Sequence, residues 1–250
     1  MENIKDKLTT CKLAGIQKSY ELILEEARQN NMSYEDFFER LLDEELLSRD
    51  NNRFNRLMKK ANFPNIKTLE QFNYARAPFV KKTDIASYAA LEFIEQRKNI
   101  IFIGVQGTGK THLSIGLGVE ACKKGKSVLF TSAASLGNRL SEAQNENVMS
   151  KFLDRIKKVD LLIIDELGYV ELPAATTNLM FQIFSERYEK GSIIVTTNLE
   201  FGEWTKVFHD QRMTTAIIDR LIHNCKIFSF DGPSYRLNDH VNLKSNSLKI

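Results

Sequence analysis

The stretch at residues 104–111 constrains the fold of this chain more than any other part of its sequence. It reads Gly-Val-Gln-Gly-Thr-Gly-Lys-Thr, follows the apolar run at 100–103 and precedes a segment with helical periodicity. A glycine-rich loop between a strand and a helix lets successive backbone N–H groups turn inward around an anion, and the helix N-terminus adds partial positive charge. The sequence therefore predicts a phosphate-binding loop within an α/β fold.

The residue types of this loop match the chemistry of a nucleoside triphosphate. Lys110 supplies a flexible positive charge for the β- and γ-phosphates, and Thr111 supplies a hydroxyl ligand for Mg²⁺. We therefore expect ATP and Mg²⁺ as cofactors. The expected nucleotide-binding residues come from the loop and the start of the next helix: Gly104, Gly107, Thr108, Gly109, Lys110, Thr111 and His112.

Two adjacent carboxylates, Asp165 and Glu166, follow a second apolar run at 161–164. Four consecutive apolar residues are typical of a strand buried on both faces, and ligands bind at the carboxyl edge of such a sheet. Adjacent carboxylates after a strand are also common as solvated surface, but their place downstream of the phosphate-binding loop favours a catalytic pair. We expect Asp165 to hold Mg²⁺ through water and Glu166 to be the general base that activates the attacking water.

A third predicted strand, at 193–197, is followed by a polar amide, Asn198. If this strand lies between the two strands already described, Asn198 lies beside the γ-phosphate and positions the attacking water together with Glu166. The alternative is an asparagine that only begins a turn.

Strands and helices alternate along residues 85–250, which indicates a parallel sheet covered by helices on both faces. Helices are predicted at 85–96, 110–123, 134–144, 148–158 and 176–188, and strands at 100–104, 127–132, 161–165 and 193–197. Residues 1–62 instead have apolar positions at helical spacing, with a helix that begins after Ser33, and predict a small all-α N-terminal domain. Residues 63–84 contain two of the four prolines and are interpreted as a linker, so the ATPase domain is expected at 85–250.

Composition excludes several other classes of protein. The chain is 42% hydrophobic and 27% charged, as in an ordinary globular protein, and its longest apolar runs are too short to cross a membrane. Its three cysteines lie far apart and form no Cys-x-x-Cys pair, which argues against a structural zinc site and for a reducing compartment. The N-terminus lacks the apolar stretch of a signal peptide, so we expect a cytoplasmic protein.

Positive charge is concentrated in residues 51–82, which contain eight basic side chains and one acid, although the whole chain carries only +3. Basic positions recur at helical spacing here and predict a surface that contacts DNA phosphates without reading the base sequence. The alternative is a solvated helix face. The expected DNA-binding residues form what we call the basic stripe: Arg49, Arg53, Arg56, Lys59 and Lys60.

Three further segments bear on the family. Asp-Glu-Leu-Gly-Tyr stands at 165–169, Asp210 precedes Ala-Ile-Ile-Asp-Arg-Leu at 216–221, and Gly-Pro-Ser-Tyr-Arg-Leu stands at 232–237. Together with the phosphate-binding loop they resemble the AAA+ branch of P-loop ATPases and, within its DnaC-like clade, the IstB-like helper ATPases of insertion-sequence transposition. The resemblance runs from about residue 8 to residue 238 and implies a P-loop AAA+ core.

This resemblance implies roles that the residues alone leave open. Arg220 resembles the arginine finger that reaches the γ-phosphate bound by a neighbouring subunit, and Arg236 resembles the sensor 2 arginine of its own subunit. From the residues alone, Arg220 could equally pair with Asp219 or with solvent. The resemblance implies an ATPase that forms a homo-oligomer on duplex DNA, hydrolyses ATP to ADP and phosphate, and recruits an IstA-like transposase.

Three other functions compete with this interpretation. A DnaC-like replicative helicase loader has the same ATPase core, and only the resemblance of the N-terminal segment favours transposition. A small-molecule kinase shares the loop, but Glu166 and Asn198 favour transfer of the phosphoryl group to water. A GTPase would need a guanine-reading Asn-Lys-x-Asp element, whereas Asn198 is followed by Leu-Glu-Phe.

Overall fold

The computed structural model describes residues 3–169, 174–232 and 234. The chain divides into two compact units, Met1–Arg56 and Leu57–Ile250. No helix in the described part of the chain is long and apolar enough to cross a membrane.

The first unit is helical, as predicted. It contains α1 (Ile4–Thr10), α2 (Ala14–Gln29) and most of α3 (Tyr34–Ala61). The Glu45 carboxylate on α3 accepts hydrogen bonds from the backbone N–H groups of Gly15 (2.7 Å) and Ile16 (3.2 Å), which satisfies the open donors at the start of α2. A Cβ at Gly15 would lie 2.6 Å from the Glu45 Cα, so the two helices pack too closely for any side chain there.

In its described residues, the second unit is built on five parallel strands in the order β2-β3-β4-β1-β5. The strands are β1 (Asn99–Gly104), β2 (Val128–Ser132), β3 (Leu161–Leu167), β4 (Ser192–Thr197) and β5 (Cys225–Phe230). The helices are α4 (Lys82–Ala89), α5 (Glu92–Glu95), α6 (Lys110–Lys123), α7 (Ala133–Asn145), α8 (Met149–Lys157), α9 (Ala174–Arg187), α10 (Thr205–Phe208) and α11 (Gln211–Ile222). The predicted α/β class is thus confirmed.

Helices cover both faces of this sheet because successive strand residues point to opposite sides and both sides are apolar. Ile101, Leu162 and Val195 belong to one buried core with side chains of α7 to α11. On the opposite face, the Phe130 ring lies 6.1 Å from that of Phe63, and Ile163 approaches α6 at Gly118.

Two elements differ from the sequence prediction. The helix predicted at 85–96 is interrupted between α4 and α5, where Leu91 takes a left-handed backbone with φ of 70° while its side chain is buried. Burial of the Leu91 side chain in the core offsets the energetic cost of this backbone conformation, which leucine rarely adopts. Strand β5 was not predicted, because Cys225–Phe230 mixes polar and apolar residues and contains no apolar run like those of β1 or β3.

The segment predicted as a linker packs along α6. A Cβ at Gly118 would lie 2.8 Å from the Phe63 ring, one at Gly116 2.5 Å from the Leu69 side chain, and one at Gly109 2.5 Å from the Phe72 ring. Glycines at the start and along α6 therefore leave room for this segment, and residues 63–72 lie against the core of the second unit. The functional boundaries at residues 62 and 84 stay predictions.

Candidate nucleotide-binding site

A cleft of about 340 Å³ opens where β1, β3 and β4 end. Strand β4 lies between β1 and β3, so the glycine-rich loop after β1, the two carboxylates near the end of β3 and Asn198 after β4 belong to neighbouring strands. The cleft is lined by loop and helix residues Gln106, Gly107, Gly109, Lys110, Thr111, His112 and Ile115, by Glu166 and Tyr169, by Thr196, Thr197 and Asn198, and by Pro64, Asn65 and Lys67. Five of the seven predicted nucleotide-binding residues thus line one concave site, whereas Gly104 and Thr108 are not among its lining residues.

The Lys110 ammonium is held inside the loop. Its Nζ donates hydrogen bonds of 2.7 Å to the carbonyl oxygens of Gly104 and Val105, and the residue is only 8% exposed. Burial lowers the pKa of Lys110 to about 8, although the nearby charges of Asp165 and Glu166 oppose this shift. Such a poorly hydrated cation is strongly attracted to an anion that enters the cleft.

At two positions of the loop, the backbone conformation favours glycine over any residue with a side chain. Gly109 is the N-cap residue of α6, with φ of 101°, and Gly104 ends β1 with φ of 132°, both in backbone regions that favour glycine. A Cβ at Gly104 would also lie 2.5 Å from the carbonyl oxygen of Phe230 on β5. Within the loop, Thr108 is buried and donates a hydrogen bond to the Val105 carbonyl (2.7 Å), which fixes the turn.

Asp165 lies at the centre of a hydrogen-bond network that joins three elements. Its Oδ1 accepts from the Thr111 hydroxyl on α6 (3.0 Å) and from the Thr196 hydroxyl on β4 (2.5 Å). Burial raises the pKa of Asp165 above its ordinary value, while both hydroxyls and the Lys110 charge oppose the shift. The carboxylate and the Thr111 hydroxyl present adjacent oxygen atoms, the donor type that Mg²⁺ prefers, so these two residues fit that ion.

Glu166 is directed into the cleft by a break in its strand. The pairing of β3 with β4 shifts register between Ile164 and Leu167, and Glu166 has a left-handed backbone with φ of 58°. Its N–H donates to the Thr196 hydroxyl (2.9 Å), which holds this strained conformation in place. As a result, Asp165 is buried whereas the next residue, Glu166, is exposed and lines the cleft.

Sequence reasoning missed two groups of residues in this site. Thr196 bonds to both Asp165 and Glu166, although the sequence shows it only as one of two threonines at a strand end. The segment 64–67 lines the cleft although it was assigned to a linker. The predicted His112 also lines it, and its Nε2 is bonded to the Thr68 carbonyl oxygen (2.8 Å), so it anchors that segment to α6.

The predicted arginines lie elsewhere. Arg220, on α11, is not among the residues that line the cleft; its guanidinium donates to the Ala216 carbonyl (2.8 Å) and lies 4.8 Å from the Phe181 ring centre. These contacts differ from the two alternatives that the sequence left open for Arg220, an ion pair with Asp219 and exposure to solvent. Arg236 lies outside the described residues.

All five residues of the basic stripe lie exposed on α3. Arg49 also makes an ion pair within its own helix, because its Nε donates to the Glu45 carboxylate four residues earlier (2.7 Å). Glu45 in turn caps α2. Arg49 therefore has a structural contact inside the first unit, whichever ligand it meets on its exposed side.

Comparison with known proteins agrees with the geometry. Residues 6–243 match the family described as IstB-like ATP binding protein. A protein of Geobacillus stearothermophilus named as an ATP-binding protein of insertion sequence IS5376 is 36% identical over 238 residues, which are 95% of each chain. A protein of Bacillus thuringiensis subsp. berliner with the corresponding name for insertion sequence IS232 is 35% identical over 96% of this chain and 98% of its own.

Solved structures share the fold. DnaA from Aquifex aeolicus, bound to AMPPCP, matches 75% of this chain and 57% of its own with a TM-score of 0.57 and 24% identity. The DnaC helicase loader matches 70% of this chain and 98% of its own with a TM-score of 0.51 and 22% identity. These likenesses show a shared α/β fold, and the family match extends over both units. The chain belongs to the family of IstB-like ATP-binding proteins.

Proposed function

We propose that this protein is an ATP-dependent DNA-binding regulator, which assembles on duplex DNA, recruits a transposase and hydrolyses ATP to ADP and phosphate. The ATPase proposal rests on one observation. Lys110 and Glu166 line the same cleft, next to the hydrogen bond between Thr111 and Asp165. A phosphate-binding cation, a carboxylate pair and a polar strand end converge there, as hydrolysis requires.

Each residue of the cleft has a distinct proposed task. Lys110 and the N–H groups of the loop bind the β- and γ-phosphates and stabilise the negative charge that develops on them. Glu166 is exposed in the cleft and takes a proton from the attacking water, while the Asn198 amide at the end of β4 orients that water. Thr196 acts through Glu166 by fixing its backbone.

Thr111 and Asp165 would hold Mg²⁺ with the bound nucleotide. The ion would supply positive charge that neutralises part of the negative charge of the nucleotide phosphates. Their 3.0 Å hydrogen bond keeps the hydroxyl and the carboxylate together at the point where the metal ligands are needed.

Arg220 is proposed as a finger that completes the cleft of a neighbouring subunit. It is half-buried against Phe181 on α9, and it does not line the cleft of its own chain in the described residues. A residue with this role must contact a second copy, so the active unit would be a homo-oligomer.

Replacing Arg220 by Ala is expected to leave ATP binding intact and to lower hydrolysis by about 10³-fold or more, because the transition-state charge loses its positive partner. Mixing the Arg220→Ala and Glu166→Gln proteins should restore part of the activity, since one supplies the base and the other the finger. Arg212→Ala, an exposed substitution on the same helix, serves as control. Phosphate release that stays absent in confirmed mixed assemblies would show that Arg220 does not act in trans.

The DNA and transposase proposals rest on different observations. The stripe presents exposed cations on one helix, which suits phosphates at any base sequence. The relatives that are named for insertion sequences match both units of this chain, whereas the DnaC match covers 70% of it. This difference favours an IstA-like transposase over a replicative helicase as the partner.

Replacing Arg53 and Arg56 by Ala is expected to weaken binding to duplex DNA, by the same factor for duplexes of different sequence. The salt dependence of log K should become shallower by about two, near 0.9 for each phosphate that the protein no longer neutralises. Fluorescence anisotropy with labelled duplex DNA and a non-hydrolysable ATP analogue measures both effects. The control is a double variant that carries Arg28→Ala and Arg40→Ala. It removes the same charge at exposed positions of the first unit outside the stripe. Equal reductions of affinity in the two double variants would contradict a role for the stripe.

A further inference from the structure

A second, larger groove lies in the ATPase unit at the outer edge of the sheet. It has a volume of about 670 Å³, and its apolar wall is formed by Leu57 near the end of α3, by Val128 and Leu129 of β2, and by Val159 after α8. Strand β2 is the last strand on its side of the sheet. Nothing in the nucleotide site uses this groove, since the two sets of lining residues do not overlap.

Four cations surround the groove: Lys60, Lys151, Arg155 and Lys158. All four are exposed, and none has an ion pair or side-chain hydrogen bond with any residue of the described ranges 3–169, 174–232 and 234. The neighbouring Lys157, by contrast, pairs with Glu186 at 3.1 Å and does not line the groove. One acid, Asp154, is among the lining residues.

Three of these cations recur on one side of α8. Lys151, Arg155 and Lys158 are spaced by four and three residues, so they follow one face of the helix and its last turn. The spacing corresponds to steps of roughly 6 and 5 Å along the helix axis. Like charges at this spacing repel one another, so pairing among these side chains does not explain why they recur on one face.

We propose that this groove binds the sugar–phosphate backbone of duplex DNA, as a second DNA-binding surface on the ATPase unit. The inference rests on the proposed DNA-binding function and extends it. Long cationic side chains of this kind meet successive phosphates, the contacts that position a protein on a duplex. Lys60, which ends the basic stripe on α3, also lines the groove, so the two cationic surfaces share a residue.

The test compares two triple variants of the full chain with wild type. The groove variant carries Lys151→Ala, Arg155→Ala and Lys158→Ala, and the control carries Arg139→Ala, Lys157→Ala and Lys190→Ala, the same change in charge at exposed positions outside the groove. Anisotropy of two unrelated duplexes is measured with AMPPCP and Mg²⁺ between about 50 and 200 mM salt. ATP binding and thermal unfolding of each variant confirm that the nucleotide site and the fold are intact.

The groove variant is expected to bind both duplexes more weakly and to show a slope of log K against log salt that is shallower by about three. The control should keep the wild-type slope. A wild-type slope and affinity in the groove variant, or an equal reduction of affinity in the control, would overturn the proposal. If the groove variant kept its DNA affinity but no longer bound polyglutamate, the groove would belong to an acidic peptide and the proposal would be wrong.

The same titrations separate this inference from the proposed function. If wild-type protein has no affinity for DNA, both fail. If the Arg53 and Arg56 double variant loses affinity while the groove variant does not, DNA binding stands and the groove assignment alone fails. Charge reversal at one exposed position, Lys158→Glu, gives a second variant and should weaken binding more than Lys157→Glu on the same helix.

Discussion

With Gln in place of Glu166, the protein is expected to bind ATP as tightly as wild type and to release phosphate at least about 10²-fold more slowly. The amide has the shape of the carboxylate but does not accept a proton from water. Lys110, Thr111 and Asp165 are unchanged, and the backbone bond from residue 166 to Thr196 does not involve the altered side chain. Steady-state phosphate release and equilibrium ATP binding measure the two effects separately.

A second exposed glutamate offers a control for this substitution. Glu200 follows β4 and does not line the cleft, so Glu200→Gln should leave turnover unchanged. If Glu166→Gln hydrolysed ATP at the wild-type rate, another group would have to be the base. A parallel loss of ATP binding would instead mean that the carboxylate holds the nucleotide.

Replacing Lys110 by Ala is expected to weaken ATP binding on the order of 10²-fold or more. Hydrogen bonds to charged groups contribute roughly 1.5–3 kcal/mol each, and Lys110 would contact two phosphates. The substitution also removes the donor that holds the Gly104 and Val105 carbonyl oxygens at 2.7 Å, so the shape of the loop is weakened as well. Isothermal titration with AMPPCP and Mg²⁺ measures the change in Kd.

Lys123→Ala is the matched control at the other end of α6. Lys123 is exposed and pairs with Glu120 on the surface, where such a pair contributes little. Its removal should leave the Kd for nucleotide unchanged. Comparable reductions of affinity in the two variants would show a general effect of charge rather than a direct interaction of Lys110 with the phosphates.

The α/β fold and the family could be predicted because their constraints are local in sequence. The loop at 104–111 needs its glycines, lysine and threonine in consecutive positions, and the strand before the carboxylates is marked by its own four apolar residues. The structure brings Lys110, Asp165 and Glu166 to one edge of the sheet, as parallel topology requires. Their catalytic roles stay predictions.

The contacts that sequence did not reveal are those between distant segments. Thr196 reaches the carboxylates only because β4 inserts between β1 and β3. Residues 64–67 line the cleft because glycines of α6 admit the segment around them, and no periodic pattern in that segment signals it. The left-handed backbone of Glu166 likewise depends on a register shift between two strands.

Arg49 is a different case, because the sequence did contain a signal. Glu45 stands four residues before Arg49 on a predicted helix, which is the spacing of a surface ion pair. Counting cations by their helical spacing alone placed Arg49 in a DNA-binding stripe. Its hydrogen bond to the carboxylate that caps α2 adds a structural role.

The most direct test of ATP hydrolysis at this site is a single-turnover measurement on protein preloaded with radiolabelled ATP and Mg²⁺. Wild-type protein, at concentrations that permit assembly on duplex DNA, is expected to convert its bound ATP to ADP and phosphate. The Glu166→Gln protein should retain its nucleotide as ATP over the same interval, and the Lys110→Ala protein should retain none. Wild-type protein that holds ATP unchanged for as long as the Glu166→Gln variant would contradict the proposal that this cleft hydrolyses ATP.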